Sequence, residues 1–212
     1  TTATGKASVG YFGGGKGPSE RTTVDRIDYS SDTGTTPAKG PLSSARAYMG
    51  ATGNASFGYF GGGDNKSTVD RIDYSNDTVT ASAKGPLSQA RGILSATGSS
   101  SFGYFGGGDP GGNTVSTIDR IDYSSDTGTT PSKGPLSAAK KYTGSSSSRA
   151  NAIPTVNIVN YPAGTLGTPN TGYFGGGTPS TVSTVDRIDY SNDTATASVK
   201  GPLTQSKRVG GA

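Results

Sequence analysis

The chain of 212 residues contains no cysteine, no histidine and no tryptophan. Without cysteine it has neither a disulfide framework nor a thiolate metal site. Without histidine it cannot build a Ser-His-Asp or Cys-His catalytic unit, because the general base of both is missing. A run of about 18 apolar residues, which a membrane-spanning helix requires, is also absent. The sequence therefore predicts no catalytic residues, no cofactor, no metal and no membrane span.

Charge and apolar residues are sparse. The net charge is +4, and the basic residues cluster only in the doublets Lys140-Lys141 and Lys207-Arg208. Nucleic-acid-binding proteins usually concentrate charge in a patch or stripe, so we predict no nucleic-acid partner. Hydrophobic residues make up 29%, beside 35 glycines and 12 prolines. This composition fits a chain built from many short strands and turns.

The chain does contain a fourfold repeat. GYFGGG begins at Gly10, Gly58, Gly103 and Gly172, and each copy is followed by a DRIDYS segment and then by KGPLS or KGPLT. The loop after the triple glycine varies in length, and the copies alternate in sequence, for example at Tyr48, Ile93, Tyr142 and Val209. Fixed spacing of this kind indicates a repeat architecture. We expect a single repeat domain over 1–212, with repeats at approximately 1–46, 47–91, 92–140 and 141–212, and an insertion at approximately 145–170.

Each repeat divides into four short β-like runs bounded by turn residues, which is typical of a propeller blade. In the third run Val24, Arg26 and Asp28 share one face, and Asp25, Ile27 and Tyr29 share the other. Mixed faces suit a sheet pressed between two neighbours, with Arg26 pairing either with Asp28 or with the next sheet. Glycine permits close backbone approach, so we expect the GYFGGG strands to crowd together at the centre. A phosphate loop is disfavoured, since no GK[ST] follows.

The motifs resemble the kelch repeat. A diglycine, a strand ending in tyrosine, a turn containing aspartate, and a proline followed by arginine correspond here to Gly61-Gly62, Tyr74, Asp77, Pro86 and Arg91. The kelch tryptophan after the turn is missing. The resemblance implies an all-β fold, a kelch-like β-propeller of four-stranded antiparallel blades. Kelch propellers usually have more than four blades, so the four repeats imply either a small closed ring or part of a larger one.

A looser second resemblance is to repeat regions of phage and algal-virus tail-fibre or virion-surface proteins. It implies a virion or extracellular surface as the location. It also implies other virion or appendage subunits as partners, in an oligomer.

Most charged repeat residues have a structural interpretation. Of the 15 acidic residues, all but three occupy repeated aspartate positions, and a group present at equivalent positions in every copy usually holds the repeat together. The predicted structural residues are Asp25, Arg26, Asp28, Tyr29, Asp70, Arg71, Asp73, Tyr74, Asp119, Arg120, Asp122, Tyr123, Asp186, Arg187, Asp189 and Tyr190.

The remaining acidic residues lie in the variable loop after the glycines, and recognition residues favour loops on a rigid scaffold. The loops are polar, so a surface glycan or a polar protein surface is the expected ligand. The candidate ligand-binding residues are Lys16, Glu20, Asp64, Asn65, Asp109, Asn113 and, in the insertion, Tyr161.

These observations predict a non-enzymatic structural or adhesion module of a virion, tail fibre or surface appendage, which presents loops to a host glycan or to sister subunits. One alternative is an intracellular kelch-type protein-interaction domain. Another is a glycan-active enzyme, whose carboxylate pair would come from different loops, for example Glu20 with Asp64.

Overall fold

The computed structural model describes residues 1–147 and 170–208. This part of the chain is all-β and contains no helix that could cross a membrane. Its strands form four antiparallel sheets, numbered 1 to 4 in chain order. Sheet 1 contains β1 (Thr2–Lys6), β2 (Val9–Gly13) and β3 (Val24–Asp28); sheet 2 contains β4 (Gly50–Gly53), β5 (Phe57–Gly61), β6 (Val69–Asp73) and β7 (Ser82–Ala83); sheet 3 contains β8 (Ser95–Gly98), β9 (Phe102–Gly106) and β10 (Ile118–Asp122); sheet 4 contains β11 (Gly144–Ser147), β12 (Thr171–Gly175), β13 (Val185–Asp189) and β14 (Ser198–Lys200).

Each sheet is a meander in which the glycine-rich strand lies between the first strand and the DRID strand. In sheet 2, Tyr59 is paired with Thr52 on one side and with Arg71 on the other. The fourth strand is short in sheets 2 and 4, and in sheets 1 and 3 it is reduced to the single bridges Asp25–Ala38 and Asp119–Ser132. The four strand-like runs that the sequence predicts therefore form four strands in sheets 2 and 4, whereas sheets 1 and 3 have three strands. Most of the insertion predicted at 145–170 lies outside the described residues.

The apolar core is divided among three junctions, each formed where one sheet packs against the next. We call the side of a sheet that contacts the following sheet its forward face, and the opposite side its rear face. At the first junction, Tyr11 and Leu42 of the first repeat pack with Phe60 and Tyr74 of the second. The other two junctions repeat this arrangement with equivalent residues. Burial of apolar surface therefore holds consecutive repeats together.

Alternation along the third strand directs charged groups to both neighbouring sheets. In sheet 2 the carboxylate of Asp70 receives Arg46 of the first repeat at 2.6 Å, while Arg71 reaches forward to Asp126 of the third at 2.7 Å. Of the two partners that the sequence allows for Arg26, the structure selects the next sheet. Arg26 contacts Asp77 at 2.8 Å, and Asp28 instead accepts hydrogen bonds from Ser30 in its own turn.

The aspartate in the turn of the second repeat is the polar centre of the first junction. Asp77 accepts hydrogen bonds from the Tyr11 hydroxyl and from Arg26, both at 2.8 Å, and Lys39 lies at 3.3 Å. Burial alone would raise the pKa of Asp77, but the hydrogen bonds from these three groups outweigh it and hold the pKa below its usual value. Tyr11 also stacks on Tyr74, with ring centroids 5.0 Å apart. Asp126 and Asp193 repeat this centre at the second and third junctions.

A second ion pair at each junction is fully buried. Arg46 and Asp70 have no exposed side-chain surface, and the backbone N–H and hydroxyl of Ser43 also donate to Asp70. Arg46 further donates to the carbonyl of Gly62. Buried charges are tolerated only when they are paired and hydrogen-bonded in this way. The equivalent pairs are Arg91–Asp119 and Lys140–Asp186.

The three consecutive glycines that end each GYFGGG motif meet different constraints. A Cβ at Gly61 would lie 2.5 Å from the ring of Phe105 in the next sheet, so the first glycine seats that ring. Gly62 and Gly63 have φ angles of +71° and +94°, which glycine adopts without steric cost, and the N–H of Gly63 donates to the Arg91 carbonyl at 2.9 Å. The motif therefore builds junctions and turns.

The expectation that the GYFGGG strands crowd together at the centre is wrong. The backbones of consecutive sheets approach each other at their first strands, β1 with β4, β4 with β8 and β8 with β11, and each first strand also approaches the glycine strand of the next sheet. The physical reason is that the glycine strand is the second of each sheet and has a strand on both sides.

Replacing Arg71 with alanine should lower the free energy of unfolding by about 1–2 kcal/mol, because Asp126 loses a partner at a partly buried site. The matched control is Arg187→Ala, at the same position in sheet 4, where the guanidinium forms no ion pair with the described residues. We expect the control to cost less than about 0.5 kcal/mol. Urea unfolding of dilute protein measures both, and equal losses would contradict a role for the junction.

The three junction tyrosines should resist ionisation at alkaline pH. Burial, and then the adjacent aspartate, raise the pKa of Tyr11, Tyr59 and Tyr104. A raised pKa favours the neutral phenol in the folded state, so the stability contributed is complete below about pH 10 and is lost as the pH rises above that value. Absorbance at 295 nm should show two steps of tyrosine ionisation, of which the later step coincides with unfolding. Tyr59→Phe should reduce the later step, and a single step for all tyrosines would contradict the prediction.

Candidate functional site

The candidate site is a cleft of about 290 Å³ beside the segments that lead into the first strands. All four repeats contribute to it. The first repeat contributes Lys16, which lies in its variable loop. The described lining residues are Thr1, Lys16, Ala47, Tyr48, Met49, Ile93, Leu94, Ser95, Tyr142 and Thr143. Because the lining residues come from equivalent positions, the repeat itself creates the cleft.

Three large side chains in the cleft have left-handed backbone conformations. Tyr48, Ile93 and Tyr142 have φ angles of +58°, +57° and +55°. Such angles are uncommon outside glycine and are rare for a β-branched residue such as isoleucine. The conformation costs a non-glycine residue about 1–2 kcal/mol. The chain uses glycine at many other left-handed positions, yet these three carry tyrosine or isoleucine.

Backbone hydrogen bonds join the three left-handed residues into one arc. The N–H of Ile93 donates to the Tyr48 carbonyl at 2.8 Å, and the N–H of Tyr142 donates to the Ile93 carbonyl at 3.3 Å. We call Tyr48, Ile93 and Tyr142 the arc residues. Residues held in sparsely populated conformations by their surroundings cluster at binding and catalytic sites.

Apolar, aromatic and hydroxyl groups all border the cleft. The Tyr48 side chain is 47% exposed, and the guanidinium of Arg208 lies 3.8 Å from the ring centroid of Tyr142. The hydroxyl of Thr143 donates to the Ser95 hydroxyl, which donates to the Thr143 carbonyl. This combination suits a ligand with both apolar faces and hydroxyl groups.

Lys16 supplies the charged group at the cleft. Its ammonium lies 3.0 Å from the Glu20 carboxylate, and the hydrogen bond from this partner raises the pKa of Lys16. The same hydrogen bond lowers the pKa of Glu20. The structure therefore brings together two of the residues that the sequence predicts as ligand-binding, and Lys16 lines the cleft.

Two other predicted residues bind the residues that directly precede the arc residues in the sequence. Asp64 accepts a hydrogen bond from the N–H of Ala47, the residue before Tyr48, at 2.5 Å. The carboxylate of Asp109 binds Lys141, the residue before Tyr142, at 2.5 Å. The hydrogen bond from Lys141, followed by those from Gly112 and Gly111, lowers the pKa of Asp109 to about 2. Both aspartates therefore position the arc, and neither lines the cleft.

The other candidates do not join the site. Asn65 and Asn113 are exposed, and neither side chain hydrogen-bonds to the described residues. Tyr161 lies outside the described residues. Within the described ranges, no group of three or more histidine, cysteine, aspartate or glutamate residues is arranged to hold a metal ion.

Sequence reasoning missed the arc residues as a site. Their alternation was visible as a departure from an otherwise constant repeat, and this was the available signal. The left-handed conformation was not visible, because neither tyrosine nor isoleucine suggests a positive φ.

At position 48, glycine should be more stable than alanine. Both Tyr48→Gly and Tyr48→Ala remove the ring, so the difference between them reports the backbone alone. We expect the glycine variant to have a free energy of unfolding about 1 kcal/mol higher, because glycine adopts a positive φ without strain. At Tyr29, a comparably exposed residue without a positive φ, the order should reverse. Denaturant unfolding measures all four variants, and a more stable alanine at position 48 would contradict the strained conformation.

The chain matches no protein-family model and no curated protein. No family assignment therefore identifies a ligand or an activity. The function is therefore inferred from the geometry of the arc and of the cleft that it lines.

Proposed function

We propose that the chain is a non-enzymatic binding module with a kelch-like β-propeller architecture. Three equivalent junctions join four antiparallel sheets in chain order, and the first strands contact each other in succession. This pattern agrees with blades arranged around a shared centre, and the kelch-like spacing of glycine, tyrosine and aspartate supports the same architecture.

The proposed ligand is a surface glycan bound in the cleft. The observation that carries this proposal is the arc, in which three bulky residues are kept at positive φ around one opening. Tyrosine combines an apolar ring face with a hydroxyl, which matches the alternation of C–H faces and hydroxyl groups on a sugar. A cleft of about 290 Å³ is at the lower end of ligand pockets, so one or two sugar units would fill it.

The contacts of the acidic loop residues support binding without hydrolysis. Hydrolysis of a glycosidic bond requires two carboxyl groups at a defined separation around the scissile bond. Glu20 is paired with Lys16, and Asp64 holds the N–H of Ala47. No carboxylate is among the described residues that line the cleft.

The location in a virion, tail fibre or extracellular appendage is part of the same proposal. It is based on the resemblance of the repeats to such proteins. A module that displays one cleft on a repeated scaffold would serve attachment in that setting.

A glycan array followed by titration calorimetry tests the binding proposal. Tyr48→Ala and Tyr142→Ala should each weaken binding of the selected glycan at least about tenfold, because each removes a ring from the cleft. Val79→Ala, at an exposed apolar residue that does not line the cleft, is the control and should bind like the unmodified chain. Binding that both tyrosine variants retain would overturn the proposal. Release of reducing sugar that depends on Glu20 or Asp64 would overturn the non-enzymatic assignment.

A further inference from the structure

The rear face of sheet 1 and the forward face of sheet 4 are left without a neighbouring sheet in the described structure. At each of the three junctions, a forward face with tyrosine, arginine and lysine meets a rear face with aspartate, tyrosine and phenylalanine. The two outer faces carry these same groups, so between them they hold both halves of a fourth junction.

The charged halves are complementary. On the rear face of sheet 1, Asp32 is exposed and makes no ion pair with the described residues, whereas its equivalents Asp77, Asp126 and Asp193 are buried. On the forward face of sheet 4, Arg187 and Lys200 correspond to Arg26 and Lys39, which bind Asp77. Neither Arg187 nor Lys200 forms an ion pair within the described residues. The unpaired carboxylate thus lies on one outer face and its two cations lie on the other.

The aromatic halves are complementary as well. Phe12 is 42% exposed. Its equivalents Phe60, Phe105 and Phe174 are fully buried, and the ring of each packs against a glycine of the preceding sheet. The equivalent glycine of sheet 4 is Gly175. The atoms nearest to a Cβ placed there belong to Val185 and Leu203 of its own repeat, at 3.6 Å or more. Tyr29 and Tyr173, the counterparts of the stacked pair Tyr74 and Tyr11, are both exposed.

The backbone of the outer faces is also consistent with a missing neighbouring sheet. At the first junction, the N–H of Gly40 donates to the Asp77 carbonyl at 2.8 Å, and a Cβ on Gly40 would collide with the Val79 carbonyl. Gly201 occupies the position of Gly40 on the forward face of sheet 4, and a Cβ on Gly201 would meet nothing within 4 Å. Side chains and backbone therefore indicate the same missing neighbour.

We propose that the rear face of sheet 1 binds the forward face of sheet 4 of a second copy of this chain. The proposed interface uses the same types of contact as the three junctions within the chain, because it is a fourth instance of that junction. The contact is head to tail, since the two faces differ, and such contacts produce rings when the rotation closes and filaments when it does not. Two copies would close a ring of eight sheets, within the size range of known propellers. This association does not depend on what the cleft binds.

Sedimentation velocity across micromolar to millimolar concentrations tests the association. The unmodified chain should associate more strongly as its concentration rises and as salt is lowered, because charged groups pair across the contact. Asp32→Arg and Arg187→Asp should each weaken self-association at least about tenfold by placing like charges together. Neither residue forms an ion pair within the described part of the chain, so melting temperatures should remain unchanged, and this would confirm that each variant folds.

Mixing the two charge variants distinguishes a head-to-tail contact from any other. The Asp32→Arg chain keeps an intact forward face on sheet 4, and the Arg187→Asp chain keeps an intact rear face on sheet 1. An equimolar mixture should therefore regain association through one unmodified junction, although neither variant associates alone. An isologous contact elsewhere on the surface would show no such recovery.

A steric variant tests the apolar half without changing charge. Gly175→Leu places a side chain where we propose that the ring of Phe12 from the second copy packs. The variant should therefore abolish association and leave the melting temperature of the dilute chain unchanged. Glu20→Arg, on a loop away from both outer faces, is the charge-reversal control and should associate normally. A chain that stays monomeric at millimolar concentration, or variants that associate like the unmodified chain, would overturn the proposal.

Discussion

The structure depends on a carboxylate in the turn of one repeat that is bound by three side chains from the repeat before it. At the first junction Asp77 receives the Tyr11 hydroxyl, Arg26 and Lys39, and it anchors the turn against the preceding sheet. Because a charged group of this kind is stable in a partly buried site only when it is fully partnered, it fixes the register between sheets. The stacked tyrosines and the buried phenylalanines then pack around a geometry that is already set.

The requirement for partners explains why so few charged residues vary between copies. Several repeated charges are paired with a neighbouring repeat, as Arg46 is with Asp70, so a change on one side leaves a buried charge without its counterpart. Much of the variation lies at positions that face solvent or the cleft. The loop after the triple glycine and the arc residues are of this type, and both contribute to the asymmetric cleft.

The all-β class and the division of each repeat into short antiparallel strands could be predicted from the sequence, because periodic spacing and turn chemistry are local signals. Arg26 illustrates the limit: alternation placed it on one face, but only the packed sheets show that its partner is Asp77 and not Asp28. The position of the glycine strands was predicted wrongly, since composition does not reveal strand order. The arc was missed because a positive φ at Tyr48 or Ile93 has no signature in the residue type.

The difference between forward and rear faces also determines how such a chain can change in length. Duplication or loss of one whole repeat preserves every match, because each repeat presents the same forward groups and the same rear groups. An insertion or deletion of half a repeat would place like charges opposite each other at a junction, arginine against arginine or aspartate against aspartate. Recombination within this gene would therefore be tolerated only in steps of one complete unit.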